Sequence, residues 1–181
     1  MTTTEEWVAD ALEAVRLPRR LRLRLTRNGL TVVPVTQAHL MTQRRIANQI
    51  ETRAPGWVPI GEFKIVPRRE GYSPEPDVSA LPESEWNSGK SEFDEGQLPF
   101  VVEVVSPESR NRDYSTKPDH YALRGIPAYL VVDVLSARWT LLTRPEDGVY
   151  RHEESGAFGD EIRIPVADQT LTLDSSQFVR I

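Results

Sequence analysis

Two carboxylate side chains lie in parts of the sequence that are too apolar for ordinary surface charges. Asp77 stands between Pro76 and Val78 at the start of an apolar segment, and Glu103 interrupts a run of valines over residues 101–105. Burying a carboxylate is costly unless a cation or hydrogen bonds replace the lost water. Carboxylate oxygens suit a hard divalent ion, so we expect Asp77 and Glu103 to converge on one. The alternative is that Glu103 belongs to an edge strand and pairs with an arginine.

A lysine follows the second carboxylate along the chain. Asp113, Lys117 and Tyr121 are spaced by four residues, which would align them on one face of a continuous helix. Because Pro118 is tolerated only in the first turn of a helix, the helix is predicted to start near residue 115 or 116 and to leave Asp113 just outside it. Lys117 would then lie at the helix N-terminus, beside the strand end that carries Glu103. The alternative is a solvated surface lysine.

Other reactive residues are less well placed for chemistry. Glu62, on a strand before the Asp77 segment, is a candidate additional metal ligand. His39 has no partner at metal-ligand spacing, so a structural or capping role is expected for it, with a supporting role in the site as the alternative. The chain contains no cysteine, which excludes disulfides and thiolate sites. It also lacks the G-x-S-x-G, H-E-x-x-H, G-x-G-x-x-G and Walker patterns, which argues against serine hydrolases, zinc proteases and the corresponding nucleotide-binding loops.

The composition is that of an ordinary globular domain. A chain of 181 residues with 39 % apolar and 27 % charged residues is long enough to bury one core. No run of 18 apolar residues and no signal-peptide pattern occurs in it, so no membrane association is expected and a cytoplasmic location is predicted. The net charge of −5 counts weakly against non-specific binding of nucleic acid.

The first third of the chain is predicted to form two helices and a hairpin. Apolar spacing predicts an opening helix over residues 4–16, and alternating leucines and valines on both sides of Asn28-Gly29 predict a hairpin. A second helix is predicted over residues 36–53, and short strand-like runs follow within 57–66. The buried side of the second helix is predicted to carry four apolar residues: Leu40, Met41, Ile46 and Ile50.

The middle of the chain is predicted to form the central sheet. A short strand is expected at 76–81, an exposed loop at 82–98, and a central strand at the β-branched run 100–105. A helix over 115–124 then leads to a second buried strand at 128–135, which implies a crossover between parallel neighbours. Shorter, more exposed strands are expected near 138–144, 149–153, 161–164 and 170–173. These elements predict an α/β (α+β) fold.

A series of charged, aromatic and turn residues occupies this central region. Its members are Pro76-Asp77, Glu103, Ser106-Pro107, Asp113, Lys117, Tyr121, Gly125-Ile126-Pro127, Tyr129 and Asp133. The series resembles the restriction-endonuclease-like bacterial family of the PD-(D/E)XK nuclease superfamily. The N-terminal part is similar in layout, with a hairpin at Asn28-Gly29 and a helix that has His39 near its start. The resemblance implies one domain over 1–181, with a nuclease-like core at about 57–135 between an N-terminal part (1–55) and C-terminal strands (136–181).

The resemblance implies a metal-dependent phosphodiesterase whose mixed central sheet is flanked by helices. Asp77, Glu103 and the carbonyl of Val104 would hold Mg²⁺, with Mn²⁺ as an alternative, and Lys117 would stabilise the charge of the transition state. Tyr121 would orient Lys117 or stack against substrate, or else pack in the core. The expected substrate is nucleic acid, most simply DNA, and a homodimer is compatible with the family.

The sequence departs from the family pattern at two points. The motif lysine normally lies two residues after the second acid, where this chain has Val105, so Lys117 on the following helix is expected to replace it. Many relatives carry an acidic residue just before the hairpin glycine, whereas this chain has Arg24 and Leu25. These departures favour one rival reading, a catalytically inactive binding module with the same fold. A second rival is a metal-free hydrolase that uses two carboxylates.

Overall fold

A computed structural model describes residues 21–26, 29–34, 36–61, 64–66, 75–86, 89 and 92–181 of the chain. The chain divides into two units, with the boundary between Gln37 and Ala38. In the first unit, strands β1 (Leu21–Thr26) and β2 (Gly29–Pro34) pair antiparallel from Thr26 and Gly29 outward, which confirms the predicted hairpin. The opening helix predicted over 4–16 lies outside the described residues. None of the described helices has the length and apolar character needed to span a membrane.

Helix α1 (Gln37–Arg53) forms where it was predicted, but it buries a different face. Ile46 and Ile50 are fully buried as expected, whereas Leu40 and Met41 are 39 % and 41 % exposed. The buried positions recur at helical spacing and are largely polar: Ala38, His39, Thr42, Gln43, Ile46, Gln49 and Ile50. Leu40 and Met41 are rotated by about 100° and 200° from His39, so the same turn cannot bury them all. The prediction for these two residues is therefore wrong.

Short strands follow helix α1. Strand β3 (Trp57–Ile60) pairs antiparallel with β5 (Ser79–Pro82), and β4 (Lys64–Val66) pairs parallel with β6 (Glu92–Asp94). A 3₁₀ turn at Glu95–Gln97 follows β6. The segment predicted as an exposed loop thus contains a strand, because buried Phe93 and Leu98 anchor it against the sheet.

The strands of the central sheet lie in the order 149–157, 138–146, 128–133 and 100–104. Strand β7 (Phe100–Val104) is buried along its whole length and runs parallel to β8 (Ala128–Asp133). Strands β9 (Arg138–Glu146) and β10 (Val149–Ala157) continue the sheet antiparallel to their neighbours. The parallel pair and the crossover between its strands confirm the predicted mixed sheet.

Two short helices make the crossover from β7 to β8: α2 (Arg110–Ser115) and α3 (Lys117–Leu123). Asp113 therefore lies inside a helix, and the prediction that it lies just outside is wrong. Pro118 has no N–H to donate, so it interrupts the helical hydrogen bonds, but the chain keeps its helical path on either side. The backbone N–H of Thr116 still reaches the carbonyl of Arg112, at 3.0 Å. The face shared by Asp113, Lys117 and Tyr121 is thereby preserved.

The last strands, β11 (Glu161–Val166) and β12 (Gln169–Asp174), form an antiparallel pair, and a 3₁₀ turn at Ser175–Gln177 follows them. They are less exposed than predicted, because alternate residues such as Ile162, Ile164 and Leu173 are fully buried. These side chains pack in the core on the face of the sheet that carries Val102 and Val104. Val101 and Val105 lie on the opposite face, where Tyr121 of α3 packs in the same buried cluster. Glu103 shares this second face, as the alternation of the strand predicts.

Candidate active site

The first carboxylate is fixed by the backbone at the end of β7. Asp77 lies in a bend before β5 and is 5 % exposed. Its Oδ2 accepts a hydrogen bond from the N–H of Val104, at 2.7 Å. Val78 and Val102 exchange backbone hydrogen bonds of 3.2 and 2.8 Å beside it. Gly61 also approaches closely, because a Cβ at that position would lie 3.1 Å from the Asp77 carbonyl oxygen. The backbone thus holds Asp77 against the strand that carries Glu103.

His39 is the second partner of Asp77. Its Nε2 lies 3.3 Å from Asp77 Oδ1, across a sequence separation of 38 residues. Burial alone would raise the pKa of Asp77, but the hydrogen bond and charge of His39, the charge of Lys117 and the Val104 N–H together hold it below the usual value. No local pattern in the chain predicts this contact, because the two residues lie 38 positions apart. The structure places it in the site.

Glu103 is the second carboxylate and is almost completely buried, at 1 % exposure. Its Oε1 accepts a hydrogen bond from the hydroxyl of Tyr121 at 2.6 Å, and its Oε2 lies 2.8 Å from Lys117 Nζ. Burial raises the pKa of Glu103 to about 7; the Lys117 charge opposes this rise, and the charges of Asp77 and Asp113 add to it. The partners of Glu103 are therefore a lysine and a tyrosine, not the arginine of an edge strand.

Lys117 bridges two acids. Its Nζ lies 2.8 Å from Glu103 and 2.7 Å from Asp113, and the residue is only 5 % exposed. Burial by itself would lower the pKa of Lys117, but the two carboxylates raise it well above its ordinary value. The reading of Lys117 as a solvated surface lysine is thus excluded. An ammonium group has three donors, so one remains beyond these two contacts.

A second layer of polar groups positions this cluster. Asp113 Oδ2 accepts a hydrogen bond from the Ser109 hydroxyl, and the Asp113 carbonyl accepts one from Tyr129 at 2.9 Å. The rings of Tyr121 and Tyr129 lie 5.0 Å apart. Burial raises the pKa of Tyr129 well above its usual value, so its hydroxyl remains a donor. Both Tyr121 and Tyr129 are fully buried. Tyr121 thus packs in the core and contacts Glu103. The hydrogen bond from Ser109 to Asp113 is not predicted from the sequence.

The carbonyl of Val104 points toward the edge that carries Asp77. Strand residues alternate the direction of their N–H and C=O groups. The N–H of Val105 bonds to Val132 on β8, whereas the N–H groups of Val102 and Val104 are directed to Val78 and Asp77. The Val104 carbonyl, on the same residue as that last N–H, is therefore directed away from β8, and it lies on the side expected of a backbone ligand.

The donor set of the site suits a hard divalent cation. Among the residues that the structure describes, no three His, Asp or Glu side chains are arranged as a metal site by themselves. The available oxygens are the carboxylates of Asp77 and Glu103 and the Val104 carbonyl. Each carboxylate oxygen accepts one protein contact and keeps a further lone pair. Three buried acids face one buried lysine, so a cation would compensate negative charge. Glu62, the other predicted ligand, lies outside the described residues.

A cavity of about 280 Å³ opens beside Asp77. Helix α1 forms one wall, and the end of β3 with the Asp77 bend forms the other. The residues that line it are Leu40, Gln43, Arg44, Ala47, Pro59, Ile60, Gly61, Asp77 and Val78. The site is therefore open to a ligand on the Asp77 side, while Glu103, Asp113 and Lys117 lie deeper in the protein.

The fold is similar to that of a solved protein from Anabaena variabilis, described as a putative nuclease belonging to DUF820. The TM-score is 0.65 and the sequences are 13 % identical over 98 % of this chain and 97 % of that one. At this identity the match shows the fold alone, and it confirms the predicted restriction-endonuclease-like architecture. No curated protein sequence matches the chain.

The sequence itself matches a family model over residues 9–175. The model is that of Uma2, described as "Putative restriction endonuclease". The match includes Asp77, Glu103 and Lys117, and it agrees with the resemblance seen in the central region. Since it covers most of the 181 residues, the chain belongs to the Uma2 family.

Proposed function

We propose that this protein is a divalent-metal-dependent endonuclease that hydrolyses phosphodiester bonds in DNA. The observation that carries the proposal is the convergence of Asp77, Glu103 and Lys117, which are all buried at the end of β7. Such a cluster costs folding energy unless its groups compensate one another or bind an ion. The same chemistry is supported by the description of the family as "Putative restriction endonuclease" and by the similarity of the fold to that of a protein described as a putative nuclease.

In the proposed mechanism, Asp77, Glu103 and the Val104 carbonyl would hold Mg²⁺ or Mn²⁺. Such an ion would supply Lewis-acid activation of a phosphate oxygen and of the attacking water, whose addition to phosphorus displaces the oxygen of the cleaved P–O bond. His39 and the Val104 N–H keep Asp77 ionised and fix its orientation. Tyr121 fixes the orientation of Glu103 by donating a hydrogen bond to its Oε1.

Lys117 is proposed to stabilise the charge that develops on the phosphate. Its contacts with Glu103 and Asp113 hold the ammonium group in place and leave one N–H for the substrate. This arrangement replaces the motif lysine, whose usual position is occupied by Val105. The buried ion pair with Asp113 thus has a positioning role, since it holds the Lys117 ammonium group beside Glu103.

The second candidate is a nuclease-fold module that binds nucleic acid without cleaving it. The observation that favours it is the closed network, in which both oxygens of Glu103 and both of Asp77 already accept protein contacts. In this case the polar cluster would only stabilise the fold. The two candidates differ in turnover and not in nucleic-acid binding.

The test is cleavage of supercoiled plasmid DNA by the full chain in Mg²⁺, Mn²⁺ or excess EDTA. Asp77→Asn and Glu103→Gln keep the size of each side chain and remove its charge. The matched control is Glu161→Gln, because Glu161 is exposed and pairs only with Arg163 among the residues described. We expect metal-dependent nicking by the wild type and the control, and none by the two site variants.

Each alternative outcome of the cleavage assay would have a different explanation. Equal nicking by all four proteins would indicate a contaminant or another site. Binding without nicking by a folded wild type would favour the inactive module. Nicking that persists in EDTA would support metal-free hydrolysis by two carboxylates.

A further inference from the structure

The cavity beside Asp77 contains a buried amide that the proposed mechanism does not use. Gln43 is 8 % exposed, and its Nε2 is buried without an acceptor among the described residues. An unsatisfied buried donor costs free energy, and such groups are rare in native proteins. Gln49, on the same helix, shows the usual situation, since its amide exchanges hydrogen bonds of 3.1 and 2.7 Å with the backbone of Asp174.

Gln43 lies where a ligand in the site could use this donor. It is four residues beyond His39 and therefore lies one helical turn further along the same face of α1. His39 contacts Asp77, and both Gln43 and Asp77 line the cavity. Rotation about the terminal torsion of a glutamine side chain is soft, so the amide can turn its N–H into the cavity at little cost.

The walls of the cavity differ in character from one end to the other. Asp77 is a carboxylate at one end and would repel a phosphate unless a cation intervened. Gln43 and the exposed Arg44 offer N–H donors at the α1 side, and Leu40, Pro59 and Ile60 are apolar. A volume of about 280 Å³ holds far more than one water molecule, which occupies about 30 Å³ of liquid. This combination fits a phosphate oxygen beside the apolar face of a sugar or base.

We propose that this cavity binds the nucleotide adjacent to the scissile bond, with the Gln43 amide donating a hydrogen bond to its phosphate and Arg44 pairing with the same group. The inference rests on the proposed nuclease function. Gln43 is a positioning residue in this scheme, because it holds the strand in register with Asp77 and does not touch the reacting atoms. The unsatisfied donor of the free protein is satisfied when the strand binds.

The test compares two methionine variants of the same helix, because methionine keeps the size of glutamine without its polar atoms. Binding of a short fluorescein-labelled DNA duplex is measured by anisotropy in Ca²⁺, and stability by urea unfolding. We expect Gln43→Met to weaken binding about tenfold while its unfolding midpoint stays the same or rises. Gln49→Met should lower the midpoint and leave the affinity unchanged.

Arg44→Ala provides an independent readout. If Arg44 contacts one phosphate, its loss should reduce the slope of log affinity against log salt by about one. Unchanged affinity of Gln43→Met, or a Gln43→Met protein that is destabilised as strongly as Gln49→Met, would overturn the inference. In the first case wild-type cleavage of plasmid would leave the nuclease proposal standing. No binding and no cleavage by the wild type would refute the nuclease proposal, and this inference with it.

Discussion

Lys117→Met tests whether the buried cluster is held together by one cation. In the wild type, Lys117 Nζ lies 2.8 Å from Glu103 and 2.7 Å from Asp113, and all three side chains are buried. At an effective dielectric constant of about 20, each contact corresponds to about 6 kcal/mol of Coulomb attraction. The cost of burying the ammonium group offsets much of this. Removing one partner of a buried ion pair typically costs about 3–5 kcal/mol, because it leaves the other charge uncompensated.

The expected loss depends on pH in a defined direction. Without Lys117, the pKa of Glu103 should rise beyond its value of about 7, so that Glu103 is protonated at pH 6 and no longer an unpaired charge. We therefore expect the free energy of unfolding to fall by about 3–5 kcal/mol at pH 8 and by clearly less at pH 6. Urea unfolding in EDTA, with an unchanged dependence on denaturant concentration, measures both values.

A second variant separates stability from catalysis. Glu103→Gln combined with Lys117→Met removes one charge of each sign, and it should recover part of the stability lost in Lys117→Met. It should not recover nicking activity, because it lacks both a proposed metal ligand and the proposed transition-state cation. A Lys117→Met protein as stable as the wild type at pH 8 would refute the account of the cluster. Full nicking activity of the Lys117→Met protein would show that Lys117 has no role in the mechanism.

Three further outcomes are expected. In metal-free buffer the free energy of unfolding should fall by on the order of 3 kcal/mol as pH rises from 4.5 to about 7, because the folded-state pKa of Glu103 lies above its ordinary value. Urea titrations of Glu103→Gln should show no such fall. Tyr121→Phe should lower stability by about 1–3 kcal/mol at pH 8 through loss of the 2.6 Å donor to Glu103, and a smaller loss at pH 8 than at pH 5 would contradict this account. Mg²⁺ at ten times its dissociation constant should stabilise the wild type by about 1.4 kcal/mol, and Asp77→Asn should show no such gain in thermal unfolding; equal gains would place the ion elsewhere.

Several parts of the fold follow from local sequence patterns. The β1–β2 hairpin, the length of α1 and the buried run of β7 are visible because apolar periodicity and turn residues act over short distances. The prediction for the face of α1 is wrong because the buried side of this helix is polar. His39 and Gln49 are buried in contacts with other residues, and Gln43 is buried beside a cavity. Leu40 and Met41 lie near the surface instead. The pattern of hydrophobic residues alone cannot predict a helix whose buried face is polar.

The helix that carries Lys117 also differs from what its local sequence predicts. Pro118 correctly predicts an interruption, but a proline removes only one donor and does not prevent the chain from resuming its helical path. The helical turn before it is stabilised by packing and by Ser109, which contacts Asp113. Asp113 therefore belongs to the cluster as a helical neighbour of Lys117, although local helix propensity predicts that it lies outside the helix.

The groups that are candidates for chemistry can be identified from the sequence alone. Asp77 and Glu103 stand in apolar surroundings where a charge needs compensation, and the four-residue spacing of Asp113, Lys117 and Tyr121 places them on one helical face. The contacts that these groups make depend on the three-dimensional packing of distant segments. The bond from Val104 to Asp77, the contact of His39 and the bridge formed by Lys117 join segments that are 14 to 38 residues apart. Such pairings are set by how strands and helices pack in three dimensions, and no local spacing in the chain encodes them.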